Sequence, residues 1–257
     1  MNRINYLFQT KHTPIISIYF CAGTPHFEGT VEIIRTLEKK GIDMVEIGIP
    51  FSDPLADGEV IQEASNRALK NGMTLRKLFA QLVNIRQEVN MPLILMGYLN
   101  PIIQYGFENF CRNCHLYGID GVIIPDLPFD DYIKEYRPLA ERYALNIIML
   151  ITPETSDERI RLIDEHTNGF IYMVSSAATT GTQADFDANK QAYFRRIQAM
   201  HLRNPILIGF GISNKQTYET AIAHAAGCII GSKFVQLLED SAGNANIAAD
   251  KLFEAIR

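Results

Sequence analysis

Eight short apolar runs alternate along the chain with longer segments of helical period. Over 257 residues this alternation matches a (β/α)8 barrel, in which each of eight parallel strands is followed by a helix. Most of the runs are apolar on both faces, as expected of parallel strands that are covered on both sides. The predicted strands are residues 14–20, 44–47, 92–96, 121–124, 146–151, 170–174, 206–208 and 227–230.

The segments between these runs predict the surrounding helices, and we expect one additional helix at the N-terminus. Ser213 and Gln216 have the spacing of a capping box, which predicts a helix start just before residue 215. The other predicted helices are residues 29–40, 59–70, 75–88, 106–117, 132–142, 158–165 and 194–201, besides 215–225 itself.

An open doubly wound sheet is the alternative architecture. It usually has fewer strands and a glycine-rich first turn, whereas residues 20–25 here lack the G-x-G-x-x-G spacing. No linker or change in composition divides the chain. We therefore expect an α/β fold with a single (β/α)8 TIM barrel domain over residues 1–257. Its long βα loops follow the second and sixth strands, on the face where barrel active sites lie.

Composition narrows the class of protein further. An apolar content of 47% and a charged content of 21% suit a globular protein with a large core. A net charge of −5 without a Lys/Arg run argues against a nucleic-acid groove or an anionic membrane surface. The chain also lacks a spanning apolar stretch and a secretory signal, so we expect a cytoplasmic protein.

The cysteines and histidines give little support to a metal site. Cys111 and Cys114 form a single C-x-x-C in a helical stretch, which a redox site or half of a zinc site would also show. A zinc site needs a second pair at suitable spacing, and none follows. Because the six histidines are scattered, we expect no metal.

Glu46 is the first candidate for chemistry. Alternation along residues 43–48 places Val45 and Ile47 on one face and Glu46 on the other, which in a barrel is the interior. A buried carboxyl group is costly unless it is neutral or paired, and a raised pKa suits a general acid near pH 7. A structural ion pair across the barrel is the alternative interpretation.

The loop of residues 49–58 follows Glu46 directly, and Asp53 and Asp57 are its only charged residues. Asp-Pro and Asp-Gly are common turn formers, so turn chemistry alone accounts for both. The loop nevertheless lies on the expected active face, so we also consider Asp57 as a second carboxylate beside Glu46.

Small residues follow the last three predicted strands. Gly209 and Gly211 come after the seventh strand, and Gly231 and Ser232 after the eighth. Barrels often bind phosphate with these two loops and a helix N-terminus, although ordinary turns have the same composition. The run 175–182 after the sixth strand suits a lid that orders over a ligand, and equally a plain linker.

Residues 46–58, read as E-I-G-I-P-F-S-D-P-L-A-D-G, closely resemble the signature of the tryptophan synthase alpha chain family. The resemblance spans nearly the whole chain in the right order. It continues through Gly23-x-Pro25, Tyr98-x-Asn100, Asp126-x-Pro128, Thr180-Gly181, residues 209–213 and Gly231-Ser232.

The resemblance implies a (β/α)8 barrel that cleaves indole-3-glycerol phosphate into indole and glyceraldehyde 3-phosphate. It implies that Glu46 is the general acid/base and Asp57 the second catalytic carboxylate, and that Thr180 ties the closed lid to Asp57. The remaining implied contacts are Tyr19, Tyr98, Tyr172 and Phe210 around the indole, and Gly181, Gly211, Gly231 and Ser232 around the phosphate.

The resemblance also implies a partner, a beta chain that carries pyridoxal phosphate, in an alpha2-beta2 heterotetramer. Asp53 and Pro54 match the part of the loop that faces this partner, and no cofactor is expected on this chain. The sequence departs from the family pattern at Ile18, Thr24, Ser176 and Ala178.

Three alternatives to the alpha-chain role remain open. The first is a stand-alone indole-3-glycerol-phosphate lyase without a beta partner. The second is a non-enzymatic barrel that binds phosphate ligands or activates a partner. The third is a different phosphate-binding barrel such as a sugar-phosphate isomerase, which would not require the signature of residues 46–58.

Overall fold

A computed structural model describes residues 1–54, 57–175, 188–209 and 211–257, with the side chains of 188–190 excepted. Its parallel strands follow the predicted apolar runs closely. They are β1 (Ile15–Cys21), β2 (Met44–Gly48), β3 (Leu93–Met96), β4 (Gly121–Ile123), β5 (Asn146–Ile148 and Leu150–Ile151), β6 (Ile171–Val174), β7 (Ile206–Gly209) and β8 (Gly227–Ile230).

The sheet closes on itself at β5. The segment Asn146–Ile148 pairs with β4, and Leu150–Ile151, one residue further on, pairs with β6. At the opposite side of the ring β1 lies between β2 and β8. All of these pairings are parallel, so the chain forms the predicted (β/α)8 barrel, with every strand pointing its carboxyl end to the same face.

Helices surround the barrel, and an additional N-terminal helix is present as predicted. The helical segment expected at 132–142 begins with a π-helical turn, Tyr132–Tyr136, because Pro138 in the next turn has no N–H to donate. The α-helices are Arg3–Thr10, Thr30–Lys39, Glu59–Lys70, Leu75–Leu82, Leu99–Tyr105, Phe107–Leu116, Phe129–Asp131, Arg137–Arg142, Asp157–His166, Ala188–Ala199, Lys215–His224, Ser232–Asp240 and Ala245–Ile256; short 3-10 turns lie at Phe27–Gly29 and Ile85–Gln87.

The predicted capping box was placed one residue too early. Asn214, not Ser213, caps the helix that begins at Lys215, by accepting a hydrogen bond from the N–H of Thr217. The Thr217 hydroxyl accepts the N–H of Asn214 in return at 3.1 Å. Threonine supplies the reciprocal oxygen here that a Glu or Gln supplies in the usual motif.

Two apolar layers hold the barrel. Residues such as Val45 and Ile47 pack outward against the helices, whereas Met44 belongs to a separate inner cluster that fills the barrel. Ile4 of the N-terminal helix is fully buried in that inner cluster, and Phe8 packs on Phe170 with ring centroids 5.9 Å apart. The helix Arg3–Thr10 therefore plugs the end of the barrel where the strands begin.

None of the helices in the described part of the chain is long and apolar enough to cross a membrane.

Candidate active site

Glu46 lies near the carboxyl end of β2, and its side chain is fully buried. The Ser17 hydroxyl on β1 donates a hydrogen bond to Glu46 Oε1 at 2.8 Å. Glu46 Oε2 has no hydrogen-bond partner among the residues that the structure describes. An acidic oxygen is thus buried inside the barrel without a hydrogen bond from any residue in the described part of the chain.

The environment of Glu46 keeps this carboxyl group neutral. Burial raises its pKa from 4.5 to about 8, although the hydrogen bond from Ser17 opposes that rise. At neutral pH most molecules therefore carry a proton on Glu46. A protonated carboxyl group with one free oxygen is suited to act as a general acid.

Asp57 lies on the loop after β2. Its Oδ2 accepts a hydrogen bond from the Tyr98 hydroxyl at 3.0 Å. Burial raises the pKa of Asp57, and the Tyr98 hydrogen bond works against it. The two carboxyl groups thus differ, because Asp57 has a tyrosine donor and is less deeply buried than Glu46.

The loop that carries Asp57 is fixed to the helix Glu59–Lys70. The hydroxyl of the buried Ser65 accepts the N–H of Phe51 at 2.8 Å and donates to its carbonyl at 2.9 Å. The Phe51 ring packs on Tyr98 with centroids 5.1 Å apart. A continuous set of contacts therefore runs from Ser65 through the two rings to Asp57.

Two tyrosines cross the mouth of the barrel close to glycines. A Cβ atom built on Gly48 would lie 2.2 Å from the Tyr19 hydroxyl, and one on Gly209 would lie 2.3 Å from the Tyr172 hydroxyl. Burial raises the pKa of both phenols well above 10, and the nearby charges of Glu46 and Asp57 add to the effect. Both hydroxyls are therefore neutral hydrogen-bonding groups next to the carboxyl groups.

Gly211, Gly231 and Ser232 follow β7 and β8. Gly211 has a positive φ of 80°, which a residue with a side chain rarely adopts. Ser232 begins the helix Ser232–Asp240, and Gly231 at its cap position offers the helix no side-chain acceptor. In contrast, Asn214 satisfies the start of the preceding helix. The helix at Ser232 thus presents the more open N-terminus to an anion.

The other residues predicted from the sequence lie at the rim or outside the described part of the chain. Asp53 is exposed and Pro54 is half-buried, and Gln62 holds their loop by donating to the Asp57 carbonyl at 2.7 Å. Thr180, Gly181 and Phe210 lie outside the described residues, as do Ser176, Ala178 and most of the predicted lid.

Two departures from the family pattern are accommodated by local contacts. The Thr24 hydroxyl donates to Glu239 at 3.1 Å, which ties the loop after β1 to the last turn of the helix Ser232–Asp240. Ile18 is fully buried in the outer layer. Both positions therefore serve packing and loop anchoring here.

No sequence signal pointed to Ser17 or Ser65. Each is a single serine without a motif, and its importance comes from a contact 29 or 14 residues away along the chain. Only the register between β1 and β2, which the sequence does not give, places Ser17 next to Glu46.

The described residues contain no group of three or more His, Cys, Asp and Glu side chains arranged to hold a metal ion. Cys111 and Cys114 are both buried against the barrel. Burial raises the pKa of Cys111 to about 12 and that of Cys114 well above 9, so both stay protonated thiols. Protonated thiols are poor nucleophiles and poor metal ligands.

A closed parallel barrel with a buried acid and a second carboxyl group at the carboxyl ends of its strands defines an enzyme of the (β/α)8-barrel class. The family model for the tryptophan synthase alpha chain matches residues 7–257. The chain belongs to the tryptophan synthase alpha chain family, whose members form the lyase subunit that cleaves indole-3-glycerol phosphate. The family resemblance of the sequence motifs is thereby confirmed.

Individual relatives agree with this assignment. The tryptophan synthase alpha chain of Phocaeicola vulgatus is 71% identical and that of Parabacteroides distasonis 65% identical, each over the full length of both chains. Among solved structures, the alpha chain from Legionella pneumophila has a TM-score of 0.88 at 31% identity, covering 100% of this chain and 96% of that one. A tryptophan synthase complex from Pyrococcus furiosus gives a TM-score of 0.85 at 32% identity, covering 94% of this chain and 97% of its own.

Proposed function

We propose that this chain cleaves indole-3-glycerol phosphate to indole and D-glyceraldehyde 3-phosphate, with Glu46 as the acid and base. The observation that carries the proposal is the buried Glu46 carboxyl group, whose pKa is about 8 and whose Oε2 is free of any described partner. This group holds a proton at neutral pH and, being fully buried, can transfer it away from bulk water.

Glu46 alone can supply the proton that the reaction needs and take one back at the end. Glu46 gives its proton to C3 of the indole ring, which leaves a positive charge shared with the ring nitrogen. The bond between C3 and the hydroxyl-bearing carbon then breaks, and its electron pair restores the ring. The hydroxyl proton passes to the Glu46 carboxylate as the aldehyde forms, so the acid is regenerated.

Asp57 supplies the second carboxylate in this proposal. Ionised near the ring N–H, it would stabilise the positive charge as it develops. The Tyr98 hydroxyl, 3.0 Å from Asp57 Oδ2, favours that ionised form. Tyr19, Tyr172 and Phe210 would complete the indole pocket with Tyr98, and Thr180 would tie the lid to Asp57.

The phosphate would bind at the carboxyl ends of β7 and β8. The positive φ of Gly211 and the start of the helix at Ser232 support this assignment, since both can direct backbone N–H groups to an anion. Gly231 has room for close approach, because the nearest neighbour of a built Cβ atom lies 3.6 Å away. Gly181 would join them from the lid.

We further propose a tryptophan synthase beta chain as the partner, in an alpha2-beta2 assembly. The Pyrococcus furiosus structure is a tryptophan synthase complex, and its matching chain resembles this one over 94% of this chain's 257 residues. The exposed Asp53 and the adjacent Pro54 would face the partner. Pyridoxal phosphate would belong to the beta chain, and the proposed reaction needs no cofactor on this one.

The test is release of indole from indole-3-glycerol phosphate by the purified chain, with and without an added beta chain. Slow release that rises steeply when the beta chain is added is expected. Equally fast release by the chain alone would instead support the stand-alone lyase. No release under either condition would contradict the enzymatic role and leave a phosphate-binding barrel.

A further inference from the structure

Ser17 occupies a polar position in an otherwise apolar layer of the barrel. It lies on β1 level with Met44 of β2 and Ile229 of β8, which both belong to the inner apolar cluster. Ser17 is fully buried, and its hydroxyl lies 2.8 Å from Glu46 Oε1. A buried hydroxyl among apolar side chains is costly unless it is hydrogen-bonded, so the contact with Glu46 is what stabilises a serine here.

The direction of this hydrogen bond makes the two oxygens of Glu46 unequal. In the described part of the chain the Ser17 hydroxyl has Glu46 as its sole partner. If Glu46 donated its proton to Ser17, both the serine proton and Oε2 would lack a described partner, whereas with Ser17 as the donor only the group at Oε2 lacks one. Ser17 therefore donates to Oε1, and the proton of the neutral carboxyl group resides on Oε2.

We propose that Ser17 is a positioning residue that holds Oε1 of Glu46 and thereby makes Oε2 the oxygen that gives up and takes back the catalytic proton. The inference rests on the proposed function. Ser17 does not touch the substrate itself, because it lies one layer deeper in the barrel than Tyr19, which is level with Glu46.

The same contact sets the acidity of Glu46. A hydroxyl donor stabilises the carboxylate more than the neutral acid, so Ser17 lowers the pKa that burial raises. Removing the donor should raise the Glu46 pKa further, to a value less matched to proton transfer near neutral pH. The other titratable side chains around this part of the barrel mouth are Tyr19, Cys21, Asp57, Tyr98 and Tyr172.

These neighbours do not obscure the effect. Burial raises the pKa of the phenols of Tyr19 and Tyr172 and of the Cys21 thiol far above neutral, so they stay uncharged over the range in which Glu46 titrates. Asp57 has its own donor in Tyr98, which a change at Ser17 leaves in place. A shift in the Glu46 titration can therefore be assigned to Ser17.

The experiment compares Ser17→Thr with Ser17→Val, which have nearly the same shape and differ in the hydroxyl. Ser17→Ala serves as a third variant without added bulk. Each chain carries 13C at the glutamate side-chain carboxyl, and the Glu46 signal is the one lost in Glu46→Gln. The signal is followed against pH without substrate, and kcat and KM for indole-3-glycerol phosphate cleavage are measured over the same range.

We expect Ser17→Val and Ser17→Ala to raise the Glu46 pKa by about 1 unit. The alkaline limb of kcat should move by the same amount, and kcat at pH 7 should fall by at most about 10-fold with little change in KM. Ser17→Thr should retain most of the wild-type titration and rate. A merely structural serine would change thermal stability and leave the pKa and the pH profile in place.

The two proposals fail in different ways. If Ser17→Val and Ser17→Thr show the same Glu46 titration and the same pH profile, the role of Ser17 is wrong. If the wild-type chain releases no indole with the beta chain present, the proposed function fails, whatever the titration of Glu46 shows.

Discussion

The barrel holds a buried carboxyl group at each of its ends, Asp120 where the strands begin and Glu46 where they finish. Asp120 is 4% exposed and accepts hydrogen bonds from Arg3 at 3.1 Å, from Arg86 at 2.6 Å and from the N–H of Leu93 at 3.0 Å. Glu46 receives a single hydroxyl on one oxygen. The two side chains are buried to nearly the same extent, but Asp120 has more hydrogen-bond and ion-pair partners than Glu46.

This difference shows how to recognise a catalytic acid in a barrel. Two cationic side chains and a backbone donor satisfy Asp120, so its contacts serve the fold. The sparse surroundings of Glu46 leave it neutral with a pKa of about 8 and ready to transfer a proton. A buried acid that its surroundings fail to ionise is therefore the better candidate for chemistry.

The largest expected effect is the loss of cleavage in Glu46→Gln. The amide resembles the neutral acid in shape but cannot give up a proton, so the rate of indole release should fall at least about 10³-fold. Circular dichroism should show an unchanged fold. Near-normal turnover would show that the acid and base lie elsewhere.

Asp120→Asn should have a large effect on stability and a small effect on turnover per folded molecule, the opposite of Glu46→Gln. Removing the charge leaves Arg86 and Arg3 facing a neutral amide, which should lower the free energy of unfolding by about 3 kcal/mol. Denaturant unfolding measures the loss, and activity is normalised to the folded fraction. A large fall in kcat at full folding would contradict the division between the two ends.

Asp57→Asn tests the intermediate case, a carboxyl group with a single tyrosine donor. If Asp57 stabilises the developing positive charge, the rate should fall about 10²-fold, equal to about 2.7 kcal/mol of transition-state stabilisation. The matched control is Tyr98→Phe, which keeps the ring and removes the donor and should have a smaller effect. Equal losses in the two variants would shift the main role to the tyrosine.

The smallest expected effect is a pH-dependent gain in stability for Glu46→Gln. In the unfolded chain Glu46 ionises near 4.5, whereas in the fold it stays protonated to about 8, so the wild type loses stability as pH rises between these values. Glutamine has no such loss. The variant should match the wild type near pH 4 and exceed it by about 2 kcal/mol at pH 6. Parallel unfolding curves at the two pH values measure this difference, which an ionised Glu46 in the fold would abolish.

The sequence predicted the strands well because parallel strands buried on both faces appear as nearly continuous apolar runs. Alternation within β2 also placed Glu46 inside the barrel. The helices Leu99–Tyr105, Ser232–Asp240 and Ala245–Ile256 were not singled out, since they are short or lie next to segments with stronger signals. The capping box was misplaced by one residue because Ser213 and Asn214 are both good caps.

The supporting contacts of the site were beyond prediction for a physical reason. Asp120 meets Arg3 from 117 residues away and Arg86 from 34 residues away, and Ser17 meets Glu46 across two strands. Such contacts depend on strand register and side-chain direction, and the spacing of residues along the chain does not encode them. The resemblance to the family identified Glu46 and Asp57, whereas their local partners became visible only in the fold.

The N-terminal plug has a consequence for a chain emerging from the ribosome. Arg3, Asn5 and Phe8 dock on Asp120, Asn146 and Phe170, which are translated more than one hundred residues later. At an elongation rate of roughly 5–20 residues per second, the helix Arg3–Thr10 must wait roughly ten to thirty seconds for its last docking site to be synthesised. Through that interval its apolar face stays accessible to chaperones and proteases, so this helix is sheltered only after Phe170 has been made.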